Sequence, residues 1–253
     1  MKLFVKIGIA IFVYLVFLVV YLPANWLVSI APIPNNVQLS GVDGTLWQGN
    51  ADFIRIDQRQ LEHVSWKLNP LALFIGQANI DFQLGSRATA VSGKGLISYS
   101  FSGLKADNLR FDAPSSFILA GSRLPFKTSV TGDISLMIEN LEQGMPWCEQ
   151  LAGKLFLNSI GVTNQFGAYP LGDITLGLNC RDGQVLLNTD EQSNQLGLSG
   201  TITLAENNLV KVTAKIKPTD TQPEDLRKAL SFLGKQDSQG YYPINYQGII
   251  PGF

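Results

Sequence analysis

The stretch VKVTAKIK, residues 210–217, decides how this chain folds. Val210, Val212, Ala214 and Ile216 alternate with Lys211, Thr213, Lys215 and Lys217, so an extended backbone puts one row against a core and the other in water. The same period of two recurs upstream in Ile80, Phe82 and Leu84, in Ile97, Tyr99 and Phe101, and in Ile134, Leu136 and Ile138. It returns in Leu196, Leu198, Ile202 and Leu204 around Gly200, and again in Tyr242, Ile244 and Tyr246, which predict a last strand. Arg181-Asp182-Gly183 separates Cys180 from Val185 and Leu187 as a hairpin turn would. The fold class that follows is mainly β: a large antiparallel sheet domain, curved or sandwich-like, with one or two short helices and one N-terminal transmembrane helix.

Four related pentapeptides, beginning at Gly132, Gly153, Gly172 and Gly200, each read as a glycine turn that launches a strand. Their spacing is too irregular for a repeat array, so a strand-after-strand sheet is expected instead of a solenoid. Helix is predicted over Pro223 to Leu233, with Glu224 and Asp225 at its start, Leu226, Leu230 and Leu233 on one face and Gly234 as the stop. Pro70 to Ile75 suits a turn or two of helix.

Composition narrows the function. The chain has 253 residues, 45% of them apolar and 15% charged, with 19 Lys and Arg against 20 Asp and Glu. It can bury a core, and it carries no basic excess with which to hold nucleic acid.

The N-terminus differs from the rest. Lys2 and Lys6 are the only charges before Asp43, and from Ile7 to Leu22 every residue is apolar or aromatic apart from Gly8. An apolar run of about 20 residues spans about 30 Å as a helix, the thickness of a bilayer core. The two lysines precede it and the next basic residue is Arg55, so the positive-inside bias puts the N-terminus in the cytoplasm. The expected organisation is a cytoplasmic 1–6, a transmembrane anchor over 7–26, a linker over 27–40 and an exported β-rich domain over 41–253, with the lipid bilayer as a partner. A cleaved signal peptide ending at Ser29-Ile30-Ala31 competes, but Pro32 would follow the cut and the apolar run is too long. In an oxidising compartment Cys148 and Cys180 are free to pair, a crosslink worth about 3 to 4 kcal/mol on the loop-entropy estimate; two buried free thiols are the alternative.

Catalytic signatures are missing. There is one histidine, His63, on the solvent side of a strand whose other face holds Val64, Trp66 and Leu68. No nucleophile elbow, phosphate-binding glycine loop or metal-ligand cluster is present, and Asp52 and Asp57 are explained by surface turns. No catalytic residue, cofactor or metal is assigned, and the chain is read as a non-enzyme.

The most distinctive segment is GVDGTLWQG, residues 41–49, in which glycines able to take positive φ surround Leu46 and Trp47. Gly44, Trp47 and Gly49 of this element, then Val64-x-Trp66-x-Leu68-x-Pro70-Leu71-x-Leu73 before Gly76, resemble protein N of the bacterial type II secretion system. So do Gly234, Gly248 and their neighbours, and the Trp147-Cys148 pair with distant Cys180. The resemblance covers nearly the full length. It implies an inner-membrane accessory component that aids export of folded proteins from the periplasm by contacting other subunits of that system, and motif residues of structural role. The family is also similar to the AsmA-like envelope proteins, whose long sheets offer a hydrophobic groove to lipids, which gives the rival expectation of a lipid-binding or lipid-transferring protein.

Overall fold

A computed structural model describes residues 2–30, 33–86, 88–122 and 124–249 of the protein. Among these residues the alternating segments become fourteen strands of one sheet. They are β1 (Val37–Ser40), β2 (Asp43–Gly44), β3 (Gln48–Ile56), β4 (Arg59–Leu68), β5 (Gln77–Leu84), β6 (Ser92–Ser100), β7 (Gly103–Pro114), β8 (Ser129–Gln143), β9 (Cys148–Asn164), β10 (Gly167–Arg181), β11 (Gln184–Thr189), β12 (Leu198–Leu204), β13 (Leu209–Ile216) and β14 (Tyr242–Ile249). Each pairs antiparallel with its successor from β3 to β14; β1 and β2 both pair with β3. The sandwich alternative is therefore not what forms: all strands share one sheet, with β1 and β14 as its edges.

The register explains why the alternation is so regular. Leu84, Gly93, Phe111, Leu136, Leu155 and Leu176 are successive cross-strand partners. Leu109, Ile138, Gly153, Leu178, Leu187, Ile202, Val212 and Tyr246 form a second such row. The opposite face reads Lys94, Arg110, Met137, Lys154, Gly177, Asn188, Thr201, Thr213 and Asn245. One face is thus apolar from strand to strand and the other predominantly polar, as period-two patterning demands.

The glycines of the four pentapeptides do not launch strands. Gly132, Gly153, Gly172 and Gly200 all lie inside β8, β9, β10 and β12, because those strands begin earlier than the glycine signal implied. Gly132 and Gly172 have positive φ and sit at shifts of register, so the residue that usually marks a turn here supplies a bulge within a long strand. Phe101 is likewise just outside β6, in the turn to β7.

Helices are short beyond the first. α1 (Lys2–Val20) is followed by α2 (Ala24–Ile30), so the stretch expected as linker holds the end of α2 and the whole of β1. From Phe4 to Val20 the side chains of α1 are exposed on every side. Among the described residues, no helix is long and apolar enough to cross a membrane. α3 (Pro70–Leu73) is capped by Asn69, whose Oδ1 accepts from the Leu71 N–H at 3.0 Å. α4 (Ser115–Ile118) follows β7, and α5 (Glu224–Ala229) continues as a 3-10 turn, Leu230–Leu233, ending at Gly234 with φ 116°. Pro223 caps α5 instead of opening it, and of the three expected inward leucines Leu230 is buried, Leu226 half-buried and Leu233 exposed.

Two apolar clusters stand on the sheet. One gathers Leu84, Val91 and Ala113 under Phe111, Phe117 and Ile118, with α4 as its cover. The other gathers Ile174, Leu176 and Leu196 with Leu155, Leu187, Ile202 and Leu226 of α5. Between them the apolar rows are mostly half-buried, since a single layer has no second sheet to close it.

Candidate functional site

Strand direction divides the sheet into two ends. The near end holds the GVDGTLWQG segment, α3, and the β6–β7, β8–β9, β10–β11 and β12–β13 connections; the far end holds α4, α5 and the remaining turns. At the near end three indoles reach across the chain. Trp47 Nε1 donates to the Val19 carbonyl of α1 at 2.8 Å, Trp66 Nε1 to the Leu46 carbonyl at 3.2 Å, and Trp147 Nε1 to the Ala205 carbonyl at 2.8 Å. The Leu46 N–H donates to the Leu22 carbonyl at 3.0 Å, and Thr45 bridges Pro23. The segment 44–49 is therefore the joint between helix and sheet.

Glycine is needed at that joint for two separate reasons. Gly44 turns at φ 91°, and a Cβ there would lie 2.6 Å from the Gln48 carbonyl oxygen. Gly49 is buried beneath an indole: a Cβ would lie 2.5 Å from Trp66 Cζ2. Gly44, Trp47, Gly49 and Trp66 are thus gathered at one place, with Pro70 beside Trp47 in a shared cleft. Gly234 and Gly248 belong to other regions, after α5 and on the edge strand β14.

Cys148, at the start of β9, and Cys180, near the end of β10, form a disulfide with Cα atoms 6.1 Å apart. It ties β9 to β10 at the near end. Lys105 and Glu142, partners on β7 and β8, form an ion pair at 2.7 Å; the Glu142 hydrogen bond and charge raise the Lys105 pKa.

Nothing resembling a reaction centre accompanies this joint. His63 is exposed on β4, Asp52 and Asp57 lie apart along β3 and its turn, and no group of His, Cys, Asp or Glu able to hold a metal occurs among the described residues. What the sequence did not disclose is the exposed apolar run Leu71, Leu73, Phe74 and Ile75, joined by Phe101. The signal was present: LALFI, residues 71–75, breaks the alternation of the flanking strands and has no polar face.

An open sheet with one apolar and one polar face, pinned by a tryptophan to a helix clothed in apolar side chains, defines a class: a single-layer β-meander protein that offers faces and edges. The family model for "Type II secretion system (T2SS), protein N" matches residues 35–245. The chain is 32% identical over 240 residues to type II secretion system protein N of Aeromonas hydrophila, covering 94% of each chain. It is 31% identical over 231 residues to the protein of that name from Vibrio cholerae, covering 91% of this chain and 92% of the relative. No solved structure matches it. The chain belongs to the type II secretion system protein N family.

Proposed function

We propose that this protein is a non-enzymatic accessory component of a type II secretion system, held to the inner membrane by α1 and acting through contacts of its sheet with other subunits. The observation that carries the reading is the sheet itself: among its described residues both edges lack a neighbouring strand and its apolar rows lack a second layer. Unpaired edges accept strands from a partner, and a half-covered apolar face accepts packing. The anchor is supported by energetics. A helix with Phe, Leu, Ile and Val side chains exposed all round is costly in water and stable in lipid. Lys2 and Lys6 at its start fit an N-terminus in the cytoplasm, with the sheet in the periplasm. Holding the sheet in the membrane plane raises its effective concentration near other anchored subunits.

Photoreactive residues at Gln38 on β1 and at Asn245 and Gln247 on β14 test the edges in cells. Crosslinks to other secretion subunits support the reading. Their absence, together with normal exoprotein release and unchanged subunit levels after gene deletion, would overturn it.

One observation favours a second reading, lipid binding on the apolar face. The row through Leu136 crosses six strands and the row through Ile138 eight, neither with a charged side chain. An extended acyl chain is matched by such a lining. Purification of the full chain in mild detergent, followed by mass spectrometry of co-purified lipid, tests it; a lipid-free protein would count against it.

A further inference from the structure

We propose that the near end of the sheet is seated in the lipid interface through a second, non-spanning contact made by the α3 turn, with Phe101 beside it. This rests on the reading of α1 as a membrane helix and goes beyond it, because the joint at 44–49 ties the sheet to the end of α1 and does not by itself say whether any part of the sheet touches lipid.

Three observations carry the proposal. The α3 turn is apolar and uncovered: Leu71, Phe74 and Ile75 are 72%, 87% and 73% exposed, while Ala72 between them is buried and α3 lies against β5. Phe101, on the adjacent β6–β7 turn, is fully exposed. Side chains of this kind on the tips of rigid hairpins are unfavourable in water.

The position of the turn relative to α1 is the second observation. Phe74 and Pro70 line one cleft with Phe12, Val16 and Trp47. Phe12 and Val16 lie about 6 to 12 Å before the helix end at Val20, at about 1.5 Å per residue. If α1 is in lipid, Phe74 is beside a part of it that is already below the surface, at the depth where aromatic side chains settle.

The third observation is a gradient along the near end. The tips closest to α1 carry Leu71, Phe74 and Phe101, the next carries Met145, and those beyond carry Arg181 with Asp182, then Glu206 with Asn207. At the turn tips the exposed side chains thus change from apolar to charged with distance from the helix, Ile249 at the end of the edge strand β14 and the Lys105–Glu142 pair set back on β7 and β8 being the exceptions.

The test uses the full chain in vesicles of phosphatidylethanolamine and phosphatidylglycerol, with benzoylphenylalanine replacing one residue at a time: Phe74, Phe101, and Phe166 at the far end. All three are exposed, so the substitutions leave the fold intact. Flotation reports the anchor, and mass spectrometry after irradiation reports the second contact. The expected result is a floating protein with phospholipid adducts at Phe74 and Phe101 and none above the unirradiated control at Phe166. A floating protein without adducts at Phe74 and Phe101, or with adducts to a second copy of the chain in their place, overturns the inference and leaves the anchor standing. A protein that does not float overturns the anchor, and the inference with it.

Discussion

The two ends of the sheet are fastened by different chemistry. At the near end the long-range ties are mostly neutral: three indole N–H groups donating to backbone carbonyls and the Cys148–Cys180 disulfide, beside one solvent-exposed ion pair, Lys105–Glu142. At the far end the main long-range tie is a cation. The half-buried Arg59 guanidinium donates from Nε to the Phe117 carbonyl at 3.1 Å and from Nη2 to the Ile118 and Ala120 carbonyls at 2.9 and 3.2 Å, holding the C-terminal end of α4. Around it the turns are closed by amides and carboxylates. Asp190 Oδ1 accepts from the Gln192 and Ser193 N–H groups, and the buried Gln222 amide donates to the Leu196 and Lys217 carbonyls. A guanidinium or carboxylate is cheap beside water and expensive beside lipid, whereas an indole satisfies its one donor and leaves an apolar ring facing outwards. The contrast is compatible with the proposed seating of the near end at a lipid interface.

The largest effect is expected from removing the disulfide. Cys148→Ser with Cys180→Ser should lower stability by about 3 to 4 kcal/mol, read as a drop in the denaturant midpoint with unchanged slope. A negligible change would mean that the near end is held by its indoles alone. At the far end, Arg59→Met keeps the aliphatic stem and removes three charge-assisted bonds, for an expected loss of about 2 kcal/mol. Hydrogen exchange localised to α4 should accompany it; uniform exchange would blur the distinction between the ends.

Trp47→Phe is expected to cost about 1 kcal/mol, one hydrogen bond, while freeing α1 from the sheet. Distances between spin labels on α1 and β3 should broaden, and an unchanged distribution would show that the Leu46–Leu22 backbone bond suffices. The smallest effect is the pH response of the far end. The Ser193 side-chain hydrogen bond, aided by the backbone N–H groups of Ser193 and Gln192, lowers the Asp190 pKa. A lowered folded pKa adds stability that is complete above the ordinary aspartate value and is lost as pH falls through the folded one. Protection of the Gln192 and Ser193 amides should therefore fade only in acid, and Asp190→Asn should abolish that dependence. The indole ties carry no such response.

Much of this was legible in residues. Lys211, Thr213 and Lys215 occupy one face of β13, with Lys217 just past its end, because a pleated strand separates odd from even positions, and nothing distant can change that. The Asp182-Gly183 turn formed where its local conformational preference placed it, with both residues at positive φ. The glycines at 132, 153, 172 and 200 were misread as turns because a lone glycine signals freedom of φ, and only cross-strand pairing decides whether that freedom makes a turn or a bulge. The partners of Trp47, Trp66 and Trp147 were equally invisible, since an indole's acceptor is chosen by which carbonyls the sheet brings near.

By itself, then, the order of side chains determined the strands, the polarity of each face and the apolar helix, because these depend on neighbours along the chain and on transfer from water. Only the tertiary structure decided that all strands join one open sheet, that the 44–49 segment is the joint with α1, and that Leu71, Phe74 and Phe101 gather at the end nearest the helix. Those outcomes depend on pairing between distant segments, whose free energy comes from registers and contacts that no local window contains.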